Sequence, residues 1–297
     1  MARWLGVDVG ATTTKVAVVD DEQWSVTRRA TVPTNRTAPE QTVAATARLI
    51  GEWVREFPGL RGVGVTLPGH VDPGTGLGIV VPNIPGDWRG VPVTEPLRAA
   101  ARRPLTMIND ARAFVLAESR LGAGRNVHDV LGVVLGTGIG GGVVIGGRLF
   151  TGQLGNAGEI GHQVLLRGGP LCGCGNRGCL EALARADVIA GAAGLATVAD
   201  AAAAAAVGDE RARSALREAG SWIGLGLANL LTVLTPQVVI IGGGVALAGD
   251  WLLRPLTEQL RASSPLVPPE SYRVELAELG PLAGAVGAAV AASDAAP

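Results

Sequence analysis

Leu5-Gly6-Val7-Asp8-Val9-Gly10-Ala11-Thr12 is an apolar run that enters a Gly/Thr turn and leaves it as a second strand, Lys15–Asp20. The pattern returns at Leu131-Gly132-Val133-Val134-Leu135-Gly136-Thr137-Gly138, where Gly141–Ile145 is the second strand. One such hairpin in each half predicts a duplicated domain with a ligand between the halves. Bare glycine amides and a threonine hydroxyl can cradle phosphate; the plainer alternative is a tight β-turn. Residues 136–141 also match G-x-G-x-x-G, but dinucleotide binding requires a helix immediately afterwards. Strand-like Gly142–Gly147 follows instead, which argues against a nicotinamide cofactor. Asp8, beside the first turn, suits Mg2+ held through water, because this ion keeps much of its hydration shell. A third cluster, Gly242-Gly243-Gly244, follows the apolar run Val238–Ile241. With no side chains there, a flat ring such as adenine can lie close to the backbone.

Working outward, further strands are expected at Trp4–Val9, Gly62–Thr66, Pro104–Ile108, Val130–Leu135 and Tyr272–Leu276. Helical patterns lie at Pro39–Glu56, Pro92–Ala101, Ala111–Leu121, Glu210–Leu234, Trp251–Ser263 and Leu282–Ala292. Such alternation is the signature of an α/β architecture. Ala182–Val207 is helix-prone, and His70–Pro92, crowded with Gly and Pro, reads as a long loop. Long loops in compact domains are usually functional.

Composition narrows the function. At 297 residues and 47% hydrophobic, the chain has material for one large domain or two ordinary ones. A net charge of −1 lacks the basic footprint of a nucleic-acid binder. Lys15 is the only lysine among 25 basic residues, a bias that reads as GC-rich coding rather than function. The uncharged runs Val130–Gly147 and Ala219–Gly249 are interrupted by glycines or by Asn229 and Pro236, unlike a membrane span. No signal peptide is evident, so a cytoplasmic location is expected.

All three cysteines lie in EIGHQVLLRGGPLCGCGNRGCLE, residues 159–181. Cys172, Cys174 and Cys179 follow His162, with glycines between them that allow a fold-back. Three thiolates and an imidazole make the ligand set of a closed structural zinc site. A redox pair or inert thiols are the alternatives, but the odd, tight count does not resemble a disulfide framework. Glu159 and Glu181, outside the ligand set, are free to face a substrate. Asn109-Asp110 ends a strand and opens a helix. Asp110 reads either as the helix N-cap or as a general base that takes a hydroxyl proton. Phosphoryl transfer needs little beyond a base, Mg2+, charge neutralisation and positioning. Asn83 and Asn109 offer the directed hydrogen bonds that sugar hydroxyls need.

Together these motifs resemble the ROK family of sugar kinases, along nearly the whole chain and in family order. The resemblance implies an actin-like, ribonuclease-H-related ATPase fold, with two duplicated α/β domains and an interdomain cleft. Residues 1–110 with 282–297 would form the small domain, and 111–281, with the zinc loop 159–181, the large one. It implies that Asp8, Gly10, Ala11, Thr12, Thr13 and Lys15 form the first ATP and Mg2+ loop. Gly136, Thr137 and Gly138 would form the second phosphate loop, and Gly243 and Gly244 the adenosine loop. Asp110 becomes the base, with capping as a second role. Gly69, Asn83, Asn109, Glu159, His162 and Glu181 would contact the sugar. His162 would also join Cys172, Cys174 and Cys179 on structural Zn2+. Two departures stand out. Ala11 replaces the usual second glycine of the first loop, and Arg112 stands where the family usually has asparagine.

The expectation is an ATP-dependent hexose kinase making sugar 6-phosphate, with glucose as leading acceptor. Fructose, mannose, an N-acetylated hexosamine or a sugar-like cyclitol would keep the chemistry and change the acceptor. The rival class is the family's sugar-sensing repressors. Their winged helix-turn-helix precedes the first phosphate loop, and here that loop begins by Asp8, which argues against them. A catalytically silent sugar binder is the other alternative. Sugar and ATP are the expected partners, without nucleic acid or membrane, in a homo-oligomer (dimer or tetramer).

Overall fold

The structure, a computed structural model, describes residues 2–296. In chain order the elements are β1 Arg3–Val9, β2 Thr13–Asp20, β3 Val26–Pro33, α1 Pro39–Glu56, β4 Leu60–Leu67, β5 His70–Val71 and β6 Gly78–Val80. There follow α2 Thr94–Ala101, β7 Leu105–Asn109, α3 Asp110–Leu121, β8 Val130–Leu135, β9 Ile139–Ile145 and β10 Arg148–Leu149. The remainder is α4 Leu180–Ala184, α5 Ala186–Ala193, α6 Val198–Ala206, α7 Glu210–Leu234, β11 Val238–Gly242, α8 Asp250–Ser263, β12 Arg273–Leu276 and α9 Ala283–Asp294. Every expected strand and helix is present, with ends moved by a few residues.

Two compact units form. The first takes the chain up to Gly122, the segment Thr151–Asn156 and everything from Glu278 onward. Its sheet runs β3-β2-β1-β4-β7. β1 is antiparallel to β2, and β2 to β3, whereas β1–β4 and β4–β7 are parallel. Strand alternation divides the sheet's two faces. Leu5, Val7, Val63 and Val65 pack with Val43, Ile50 and Trp53 of α1 and Leu97 of α2. Between them, Gly6 and Gly64 face the other way. A Cβ on Gly6 would run into the Ala285 carbonyl, and one on Gly64 into that of Ala288. The two glycines therefore let α9 lie directly on the sheet. Gly287 brings α9 equally close to the backbone of Ala113 in α3. That packing groups α3 with the first unit, beyond the boundary expected at residue 110. Fully buried Glu118 of α3 also accepts the amides of Glu278 (3.1 Å) and Leu279 (2.8 Å).

The second unit, Ala123–Phe150 with Ala157–Ala277, repeats the plan. Its sheet runs β10-β9-β8-β11-β12 with the same sequence of strand directions. The hairpin echo is thus a true duplication of topology. Leu131, Val133, Leu135, Val239 and Ile241 form its core with Ile223, Leu227 and Leu231 of α7. Gly220 and Gly224 admit α8 against α7, facing the Leu252 and Leu256 carbonyls. The helix-prone stretch 182–207 resolves into α4, α5 and α6. α6 is closed by a capping box between Thr197 and Asp200.

Two expectations need correction. β3 went unseen because it is an edge strand, exposed along most of its length, so VTRRATVP carries no apolar alternation. The long loop at 70–92 contains the short hairpin β5–β6 and a bridge between Leu77 and Pro92. Among the described residues no single helix is long and apolar enough to cross a membrane.

Candidate active site

In the first unit the site residues leave the carboxyl ends of three neighbouring parallel strands, where ligands bind in open α/β sheets. Asp8 ends β1 beside Thr66 of β4, and Leu67 pairs with Asn109 of β7. The Thr66 hydroxyl donates to Asp8 Oδ1 at 2.6 Å. Lys15 Nζ lies 3.6 Å from the other carboxylate oxygen. Gly284, in the first turn of α9, lies so close that a Cβ would fall 2.7 Å from Oδ2. A helix N-terminus favours a carboxylate there. Sequence reasoning missed Thr66 and Gly284. Thr66 was findable as a buried polar residue ending a strand otherwise apolar on both faces, but Gly284 had no local signal.

The first turn is held from the side. Gly10 N donates to Thr13 O (3.1 Å), and Thr34 N donates to Thr12 O (3.0 Å). The Thr34 hydroxyl donates to Gly10 O (2.9 Å) and lies 2.9 Å from that of Thr14. A Cβ on Gly10 would sit 2.8 Å from Thr13 O, so glycine is required there. Ala11 adds its methyl at a half-buried position of the turn.

At the start of α3 the capping expectation is corrected. Asn109, not Asp110, is the N-cap: its Oδ1 accepts from Ala111 N (3.0 Å) and Arg112 N (3.2 Å). Its Nδ2 donates to Gly69 O at 3.1 Å, which leaves one amide hydrogen for a ligand. Gly69 adopts φ +83°, where a Cβ would strike Val80 O. Asp110 is the first helical residue, and its Oδ1 accepts from Ala111 N at 2.9 Å. Arg112, one of the departures, is only 3% exposed. Asn83 lies on the separate loop between β6 and α2, exposed, with φ +69°.

In the second unit, Gly136-Thr137-Gly138 joins β8 to β9 and is closed by Gly136 N donating to Gly138 O at 2.9 Å. Gly243, at φ +90°, lies against Leu135, where any Cβ would strike the backbone. The third glycine loop is therefore packed against the root of the second. Gly244 faces open space. Glu181, in the first turn of α4, reaches the same hairpin: Ile139 N donates to its Oε2 at 2.9 Å.

The fold-back of 159–181 brings the four expected ligands together. The ligand atoms of His162, Cys172, Cys174 and Cys179 all lie within 4.8 Å of one another. Cys174 and Cys179 sulfurs are 3.7 Å apart, and Cys172 Sγ is 3.6 Å from His162 Nδ1. A tetrahedron with Zn–S of ~2.3 Å and Zn–N of ~2.05 Å has edges of about 3.8 and 3.5 Å, so the cluster has the dimensions of a zinc site. No disulfide links the cysteines. Burial pushes the Cys172 thiol up and that of Cys179 up to about 12, whereas a hydrogen bond from the Asn176 backbone lowers Cys174. Thiols gathered this closely beside an imidazole are groups that a divalent cation would hold as thiolates. His162 Nε2, on the other side of the ring, lies 3.9 Å from Glu159 Oε2. Cys172 Sγ lies 3.7 Å from Glu181 Oε1.

Comparison with known proteins agrees with this layout. Residues 4–295 match the model of the ROK family. A glucokinase of Halalkalibacterium halodurans is 34% identical, over 96% of this chain and 93% of its own. Among solved structures, a ROK hexokinase from Thermus thermophilus is 35% identical with a TM-score of 0.88, covering 98% of each chain. A ROK family glucokinase from Streptomyces griseus, in complex with glucose and AMPPNP, is 32% identical with a TM-score of 0.80, over 99% of this chain and 100% of that one. A match from Trp4 to Ala295 on a duplicated sheet that carries every glycine loop and the His/Cys cluster leaves one assignment: the chain belongs to the ROK family.

Proposed function

We propose that the protein is an ATP-dependent sugar kinase that transfers the γ-phosphoryl group to the primary (6-) hydroxyl of a hexose, with glucose as leading acceptor. The observation that carries this reading is the similarity, over nearly the entire chain, to a glucokinase crystallised with glucose and AMPPNP. Asp110 is the base. With the cap supplied by Asn109, its carboxylate can take the hydroxyl proton as the hydroxyl attacks the γ-phosphorus. Asn109 offers its remaining amide hydrogen to the sugar, and Asn83, Gly69, Glu159, His162 and Glu181 complete the set of hydroxyl contacts. Gly10–Thr13 and Gly136–Gly138 present amides and hydroxyls to the phosphates, and Gly243-Gly244 gives the adenine a surface without side chains.

Lys15 supplies the positive charge of the first loop. Asp8, held by Thr66 and cradled by Gly284, fits the Mg2+ that accompanies ATP, which neutralises charge on the transferred group. His162, Cys172, Cys174 and Cys179 fit a structural zinc. Four protein ligands would close its shell, so it would fix the loop and leave the chemistry to the side chains. The same reading expects a cytoplasmic homo-oligomer without nucleic-acid or membrane partners.

A coupled ADP-release assay over hexoses, N-acetylhexosamines and cyclitols tests the proposal. Turnover with at least one acceptor and ATP is expected. No turnover with any of them would defeat the kinase reading. Because Arg112 is buried two residues after the base, the panel must extend beyond glucose.

A further inference from the structure

We infer that Glu181 is a positioning residue for the Gly136–Gly138 hairpin and, through it, sets the affinity for the nucleotide. This rests on the kinase reading above, in which that hairpin meets phosphate. Ile139 opens β9 and is only 3% exposed, so its amide needs an acceptor within the protein. The acceptor comes not from a strand but from Glu181 Oε2, at 2.9 Å. A hydrogen bond to a carboxylate is roughly twice as strong as a neutral one. The contact is also close in shape: a Cβ on Gly138 would lie 2.6 Å from the same oxygen.

The other end of the hairpin is gripped by the same segment. Ala186 N, at the start of α5, donates to Gly136 O at 3.0 Å. Residues 181–186 thus clamp the turn at both sides. That segment begins beside Cys179, the N-cap of α4 and one of the four cluster residues. The cluster therefore fixes where α4 starts, α4 aims Glu181, and Glu181 holds the amide that shapes the hairpin. A carboxylate has about four lone-pair directions. Glu181 holds Ile139 through Oε2; Oε1, 3.7 Å from Cys172 Sγ, keeps a further lone-pair direction for a sugar hydroxyl, so one side chain can serve both substrates.

The test measures binding without turnover. Calorimetry with a non-hydrolysable ATP analogue and Mg2+, in the absence of sugar, compares wild type with Glu181→Ala and Glu181→Gln, each checked for zinc content. Glu181→Ala is expected to weaken analogue binding about 10-fold with zinc retained, as for a lost hydrogen bond to a charged group. Glu181→Gln, whose amide oxygen can still accept from Ile139, is expected to stay within about 3-fold. Glu181→Asp, which keeps the charge but is one methylene too short to reach the Ile139 amide, should mimic the alanine variant and covers the case in which Glu181→Ala fails to fold. Analogue binding unchanged in Glu181→Ala would overturn the inference, and so would loss of zinc, which would make the carboxylate a support of the cluster instead. If wild type itself binds no nucleotide, it is the kinase reading that fails.

Discussion

Asp110 and Asn109 show how much one residue of register matters. An Asn-Asp pair before a helix offers two good caps, and composition does not choose between them. The backbone does: Asn109 has the extended conformation of a cap and accepts two amides, while Asp110 already belongs to the helix. The base candidate is therefore the first residue of the helix, not its cap. Asp110→Asn should retain sugar binding but lower kcat by at least about 10²-fold. Steady-state kinetics paired with sugar titration checks it, and a near-normal kcat would reject Asp110 as the base. Asp8 and Lys15 were legible as candidates from the turn beside them. That Thr66 holds Asp8 was not, because the two are 58 residues apart in the chain and meet only across paired strands.

At the scale of elements, the 159–181 loop is the clearest case of function read from spacing. Backbone hydrogen bonds fold it back on itself: Cys172 N to Asn176 O, Gly175 N to Cys172 O, Leu165 N to Gly178 O and Leu180 N to Gln163 O are among them. On the proposed reading, a zinc at the His/Cys cluster would add its binding free energy to these bonds. Chelating zinc should leave 159–181 open to proteolysis and abolish activity, and full activity in a verified metal-free sample would sink that expectation. His162→Ala should lose zinc and sugar affinity together, since its two ring nitrogens face the cluster and Glu159 respectively. Loss of only one would show that the ring is not shared. Strands buried on both faces were legible as apolar runs, but β3 was not. Its arginines and threonines obey the needs of an exposed sheet edge, which look like those of a loop.

At the scale of the whole molecule, each unit depends on helices laid against bare backbone. α9 arrives from the far end of the chain to cover the first sheet, and Gly6, Gly64 and Gly287 make room for it. Gly64→Ala should therefore destabilise the protein by about 1–3 kcal/mol or more, as overpacking does. Gly191→Ala, in α5 with nothing within 4 Å of the added methyl, should be neutral or slightly stabilising. Urea unfolding of the two variants side by side checks the contrast, and equal midpoints would contradict it. What the sequence by itself determined is local: strand and helix periods, the duplicated glycine turns, the Cys/His spacing and the family these belong to. Hydrophobic period and loop spacing act over a few residues, so a single chain displays them. Only the tertiary structure decided that α3 joins the first unit, that Thr66 and Gly284 frame Asp8, and that Glu181 holds the Ile139 amide. Each of those depends on groups distant in the chain meeting at hydrogen-bond or van der Waals distance, and no local pattern encodes which partner will arrive.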